Sequence, residues 1–93
     1  MKSIMQAKKH CWVCGSPHAE LHHVFYGTGL RSLSDEHGCT VWLCRTHHTE
    51  KPFGVHHNPD LDKWIKRMTQ LKFEQTHSRE EFIRLFGRNY VVR

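Results

Sequence analysis

The chain has 93 residues, four cysteines, ten histidines and a formal charge of +5 with the histidines neutral. A chain of this length favours one domain that buries only about 60–65% of its unfolded surface, so its core is marginal and a staple is expected. No apolar run approaches the roughly 20 residues of a membrane span, and the polar, basic start from Met1 to Lys9 lacks a signal-peptide core. The expectation is a cytoplasmic protein with no membrane partner, in a reducing compartment where Cys/His patterns bind metal rather than form disulfides. The positive charge suits a polyanionic partner, nucleic acid first.

Residues 1–9 read as a basic, flexible arm and residues 10–93 as the single domain. His10-Cys11-Trp12-Val13-Cys14-Gly15 reads as a metal knuckle, with Gly15 free to take a positive φ. Leu21 to Tyr26, bulky and rich in Val, Phe and Tyr, is expected as a strand that Gly27-Thr28-Gly29 breaks. Leu30 to His37 is expected as a loop with room for one helical turn at Ser34-Asp35-Glu36, closed by Gly38. Cys39 to Leu43 is a second strand, pairing with the first across this long loop. Cys44 to about Lys51 begins a helix that Pro52 and Gly54 end, and Phe53 to His57 is a loop. Asn58-Pro59 with Asp60 and Asp62 marks a helix start. Leu61, Trp64, Ile65, Met68 and Leu71 then form its core face. Ser78-x-x-Glu81 is a capping box for a last helix, whose apolar face is Phe82, Ile83 and Phe86 and whose C′ residue is Gly87. Asn89 to Val92 are expected to run extended. This order gives an α+β fold.

Zinc takes four tetrahedral Cys or His ligands. Cys11-x-x-Cys14 and Cys44-x-x-His47 are two pairs of the same internal spacing, separated by 29 residues that a hairpin can close. Cys39 is the rival to His47. The odd offset between Cys39 and Cys44 along a strand puts them on opposite faces, which favours Cys11, Cys14, Cys44 and His47 and leaves Cys39 a small buried residue.

His22 and His23 are adjacent on a strand and face opposite ways. Adjacent helical residues lie about 100° apart, so His47 can face the zinc while His48 faces the hairpin. That brings His22 and His48 together, with His56 or His57 closing the cluster from the next loop. His10, His18, His37 and His77 read as solvated surface groups.

The Cys11-x-x-Cys14 knuckle, the His22-His23 pair and the Leu43-Cys44-Arg45-Thr46-His47-His48 stretch together resemble the HNH endonucleases, whose core is the ββα-metal fold. The resemblance covers about residues 10–57, leaving 58–93 as additional C-terminal helices. It looks most like small HNH proteins of phages and prophages, which share similar His-His-Val-Phe-x-Gly, Gly54-Val55-His56 and Phe86-Gly87-Arg88-Asn89-Tyr90 stretches. It implies His22, His48 and His56 as ligands of a catalytic divalent metal, His23 as general base, and a bacterial or phage-infected cytosol as the setting. The family's middle asparagine, which braces the loop and helps hold the base, is missing; Cys39 or a neighbour stands there.

The implied reaction is metal-assisted hydrolysis of a DNA phosphodiester, as a nick or a double-strand cut. Neutral His23 takes a proton from water, a task suited to an imidazole. Arg31, Arg45 and Lys51 are candidates for phosphate contacts, the other reading being solvated surface charge. Imidazole ligands accept Zn, Ni, Co or Mn, whereas the resemblance suggests Mg or Mn. Double-stranded DNA is the expected partner of a monomer or homodimer, since a two-fold dimer pairs two sites. The competing reading is a non-catalytic zinc-finger DNA-binding module.

Overall fold

A four-residue strand, β1 (Glu20–His23), runs antiparallel to β2 (Thr40–Leu43), with Glu20 opposite Leu43, Leu21 opposite Trp42, His22 opposite Val41 and His23 opposite Thr40. The computed structural model describes residues 1–91. Between the strands lies a helix, α1 (Leu30–His37), where a loop with one turn was expected. Gly29 and Gly38 bound it, both in the left-handed region that favours glycine. Its inner face carries Leu30 and Leu33 against the core and the fully buried Ser34.

Ser34 explains why this segment folds as a helix packed on the sheet. Its Oγ donates to the Phe25 carbonyl at 2.6 Å and accepts from the Phe25 N–H at 3.0 Å. Phe25 follows the end of β1 and is buried, so its backbone has no ladder partner and needs this one. Ser34→Ala leaves two buried polar groups unpaired and is expected to cost about 1–3 kcal/mol. A thermal melt checks this, since about 1 kcal/mol moves Tm by roughly 4–8 °C in a domain of this size.

After β2 comes a single helical turn, α2 (Arg45–His48), shorter than the helix expected to reach Lys51. Residues 49–57 fold back on it. The Gly54 N–H donates to the Glu50 carbonyl, Val55 N–H to His47 and His56 N–H to His48. A Cβ on Gly54 would stand 2.7–2.9 Å from the backbone of Glu50 and His48, so only glycine permits this return.

Helix α3 (Pro59–Phe73) starts as expected, with Asn58 Oδ1 accepting from the Leu61 N–H at 3.2 Å and Pro59 in the first turn. Its buried face is Ile65, Thr69, Gln70 and Phe73, rotated from the expected one; Trp64 and Leu71 are exposed. Helix α4 (Arg79–Phe86) is capped by Ser78, whose Oγ accepts from the Glu81 N–H at 3.0 Å, and Gly87 closes it at positive φ. Phe82 and Phe86 are buried, but Ile83 faces solvent. Phe25, Phe73, Phe82 and Phe86 pack with ring centroids 4.6–6.2 Å apart, joining the end of β1 to α3 and α4. The expected extended tail lacks regular structure through Val91; Val92 lies outside the described residues.

The N-terminal nine residues, expected to be a flexible arm, lie along β2. The Ile4 N–H donates to the Gly38 carbonyl at 2.9 Å, Ser3 Oγ donates to the Thr40 carbonyl, and Gln6 Oε1 accepts from the Trp42 N–H at 2.7 Å. These bonds cover the open edge of β2, and Ile4 and Met5 pack on the core. The fold is α+β, with a two-stranded sheet and four helices among the described residues. None of those helices is long and apolar enough to cross a membrane.

Candidate metal centres

Cys11, Cys14, Cys44 and His47 come together from the knuckle and the β2–α2 junction, with one ligand atom each and all four within 4.8 Å of one another. Cys14 Sγ lies 3.7 Å from Cys44 Sγ, and His47 Nδ1 lies 3.7 Å from Cys11 Sγ and 3.2 Å from Cys44 Sγ. Zn–S bonds near 2.3 Å and Zn–N bonds near 2.0–2.1 Å in a tetrahedron separate ligand atoms by about 3.4–3.8 Å, so this set can hold a metal ion such as zinc. Local backbone builds both halves. The Gly15 N–H donates to the Cys11 carbonyl at 2.8 Å to close the knuckle, and Cys44 starts α2 so that His47 lies one turn on.

Burial opposes the Cys11 thiolate, but hydrogen bonds from the backbone at Cys44, Cys14 and Val13 outweigh it and bring the thiol down to about 6. A thiolate there is the form a metal needs. Cys39 takes no part: it is fully buried just before β2, at the other end of the strand from Cys44, and burial pushes its thiol up to about 12.

The second cluster is His22, His48 and His56, whose ring nitrogens also lie within 4.8 Å of one another. Ring centroids are 5.2 Å apart for His22 and His48, 5.3 Å for His22 and His56, and 5.1 Å for His48 and His56. Three elements deliver them: β1, α2 and the loop that Gly54 folds back. His57 stays outside, exposed on a neighbouring pocket.

His22 is 3% exposed, and its Nε2 is buried without a hydrogen-bond partner. Burial, with His48 and His56 nearby, pushes its imidazolium down to about 3, so the ring is neutral at pH 7 with a lone pair available. Burial and His48 lower His56 in the same direction. An orphaned buried nitrogen facing two more imidazoles fits a divalent cation by its donor chemistry.

Glu20 is a residue that sequence reasoning missed. Its Oε1 lies 2.8 Å from His48 Nδ1, leaving Nε2 of His48 for a ligand. No local motif links position 20 to position 48; the signal was the strand pairing that sets Glu20 beside the β2–α2 junction. Such carboxylate partners typically contribute 10–100-fold to metal affinity. Glu20→Ala is therefore expected to weaken divalent-metal binding at this cluster by about that factor. A calorimetric titration of zinc-loaded protein measures it, and an unchanged affinity would mean that His48 needs no such partner.

A cavity of about 260 Å³ opens on the cluster, bordered by His22, His48 and His56, with His23, Tyr26 and Arg31. His23 is half-buried at the end of β1, with Nε2 3.6 Å from Asp35 Oδ1, beyond hydrogen-bond range but within an ion pair's reach. Arg31, on the first turn of α1, joins this site; Arg45 and Lys51 are exposed on and after α2 and do not line it. Tyr26 was also missed. Its ring lies 5.9 Å from His22 and 5.5 Å from His56, with the Lys66 ammonium 4.5 Å from its centroid. Burial and the nearby Asp62 carboxylate raise its hydroxyl above the ordinary value, keeping it a hydrogen-bond donor.

Of the histidines expected to be solvated, His37 and His77 instead pack on Phe73, with His77 stacked on that ring at 4.1 Å. His10 and His18 are exposed as expected. No protein-family model matches the chain, and neither does any curated protein or solved structure.

Proposed function

We propose that this protein is a metal-dependent DNA endonuclease of the HNH type, in which a zinc at Cys11, Cys14, Cys44 and His47 staples a ββα-metal core. The observation that carries the reading is the convergence of three imidazoles, one with an orphaned buried nitrogen, on a cavity that also holds a fourth imidazole and an arginine. The β1–β2 hairpin followed by the α2 turn supports this reading.

His22, His48 and His56 would hold a divalent cation, Mg or Mn by the resemblance and Zn or Ni by the softness of imidazole. When bound, such an ion supplies Lewis-acid stabilisation of the charge that develops on a phosphate and its leaving oxygen. The chain's own groups do the rest. Arg31 binds and orients a scissile phosphodiester at the cavity mouth. His23 accepts a proton from water as the water oxygen bonds to phosphorus and the ester oxygen departs. Asp35 stands beside His23 to stabilise the imidazolium formed. In this reading Asp35 takes the place of the family's asparagine beside the base, and the bonds of Ser34 to the Phe25 backbone brace the segment between the strands.

Double-stranded DNA is the proposed substrate of a monomer or homodimer, in keeping with the charge of +5. The test is conversion of supercoiled plasmid by zinc-loaded protein with Mg, Mn, Ni and Zn added separately. Metal-dependent nicking or linearisation is expected; DNA binding without cleavage under every metal would leave a zinc-finger binding module in its place.

A further inference from the structure

A second cavity, of about 410 Å³, opens between α3 and the C-terminal segment. Lys63, Lys66, Arg67 and Arg88 line it, with the aromatic rings of Trp64 and Tyr90. A small pocket lies between it and the histidine cavity, sharing wall residues with each. Tyr26 and His56 border the histidine cavity and a small intermediate pocket, and Asp62 borders that pocket and the second cavity.

The charges are not balanced within the groove. Asp62 is engaged by Lys66 at 2.8 Å, and Asp60 sits in the first turn of α3, where the helix dipole favours it. Among the described residues, Lys63, Arg67 and Arg88 have no carboxylate partner. Lys63 and Arg67 are four residues apart on one helix face, a spacing at which like charges repel. Folding adds Arg88 to them through a rigid connection. Fully buried Gln70 accepts from the Tyr90 N–H at 2.7 Å and donates to Asn89 Oδ1 at 2.8 Å, fixing the segment that carries Arg88. The Lys66 ammonium lies 4.5 Å from the Tyr26 centroid, on the wall of the histidine cavity, and 5.5 Å from that of Tyr90, on the wall of this one.

We infer that this groove is a second phosphate-binding site, which holds the sugar–phosphate backbone of the nucleic-acid strand leaving the histidine cluster. A polyanion relieves the repulsion among three gathered cations, and the exposed ring of Trp64 lies where a base of the strand can stack. The inference rests on the nuclease reading for the identity of the strand, but its binding role is measured separately.

The test compares the zinc-loaded full chain with Lys63→Ala/Arg67→Ala/Arg88→Ala. A second triple variant, Lys8→Ala/Lys72→Ala/Arg84→Ala, removes the same charge elsewhere. Fluorescence anisotropy follows a labelled DNA duplex across salt concentrations with no added divalent metal. Each phosphate contact contributes about 0.9 to the slope of log K against log salt, so the groove variant is expected to lose about 2–3 from that slope. Its affinity should fall roughly tenfold or more, while the control variant stays near wild type. Equal behaviour of the two variants, or no DNA binding by the wild type, overturns the inference.

Hydrolysis of bis(4-nitrophenyl) phosphate separates this site from the chemistry, because so small a diester does not span both cavities. Its rate is expected to be unchanged in the groove variant, and a matching loss there would overturn a distinct second site. If the groove variant loses DNA affinity while the wild type hydrolyses neither substrate, the phosphate site stands and the nuclease reading falls.

Discussion

Replacing Cys44 with alanine is expected to unfold the chain at room temperature. A two-stranded sheet is at best marginally stable alone, and this one has strands of four residues. Besides the metal ligands, the knuckle is held by the Trp12 N–H, which donates to the Trp42 carbonyl at 2.8 Å, by Trp12 against Trp64 of α3 at 4.9 Å, and by Trp12 and Val13 against the core. A structural zinc contributes about 10–16 kcal/mol in zinc-finger peptides. Whole small domains are stable by only about 5–15 kcal/mol, so losing one thiolate removes most or all of the margin. Far-UV circular dichroism with zinc analysis checks the outcome, and a strong chelator added to the wild type should reproduce it. A native spectrum in Cys44→Ala with no bound zinc would sink the staple. Acid should act in the same direction. The Cys11 thiol is depressed from 9.0 to about 6, so its contribution is complete above about pH 9 and fades as pH falls through 6. Below that, protons compete with metal for every ligand.

The fold was legible where a local rule decides it. Asn58-Pro59 and Ser78-x-x-Glu81 mark helix starts because an orphan N–H needs an acceptor nearby, and both caps form. The rotation of α3 was not legible. Its apolar residues favour a face through Trp64 and Leu71, yet Thr69 and Gln70 are buried instead. Thr69 bonds the Ile65 carbonyl at 2.7 Å, and Gln70 is satisfied by Asn89 and Tyr90, nearly 20 residues on. A buried polar residue whose partner lies far along the chain leaves no periodic trace. Helix α1 was missed for the same reason, since its central buried residue is a serine bonded to Phe25.

The metal clusters divide along the same line. Two Cys/His pairs of matched spacing announce a tetrahedral site, and the structure assembles those four side chains. His22 and His48 follow from strand and helix periodicity. His56 rather than His57 closes the second cluster because Gly54 lets the loop return and hydrogen-bond to α2 in register. Spacing along the chain leaves that register open. Glu20 and Asp35 were out of reach, because ordinary surface carboxylates acquire a role only when tertiary pairing sets a histidine beside them.

His23→Ala is expected to cut plasmid cleavage by about 10²–10⁴-fold, the usual contribution of a positioned general base. The side chain makes no hydrogen bond within the core and lies half-buried at the end of β1, so stability and zinc content should hold. DNA affinity should also hold, because Arg31 and the α3 groove are untouched. His22→Ala makes the informative contrast. It removes the orphaned buried nitrogen and should lower divalent-metal affinity together with the rate. In His23→Ala only the rate falls at saturating metal, and added imidazole should restore part of it by serving as a diffusible base. A rate equal to wild type in His23→Ala would place the base elsewhere. If both variants bind DNA like a wild type that never cleaves, the histidines form a site without chemistry, and the protein acts by binding alone.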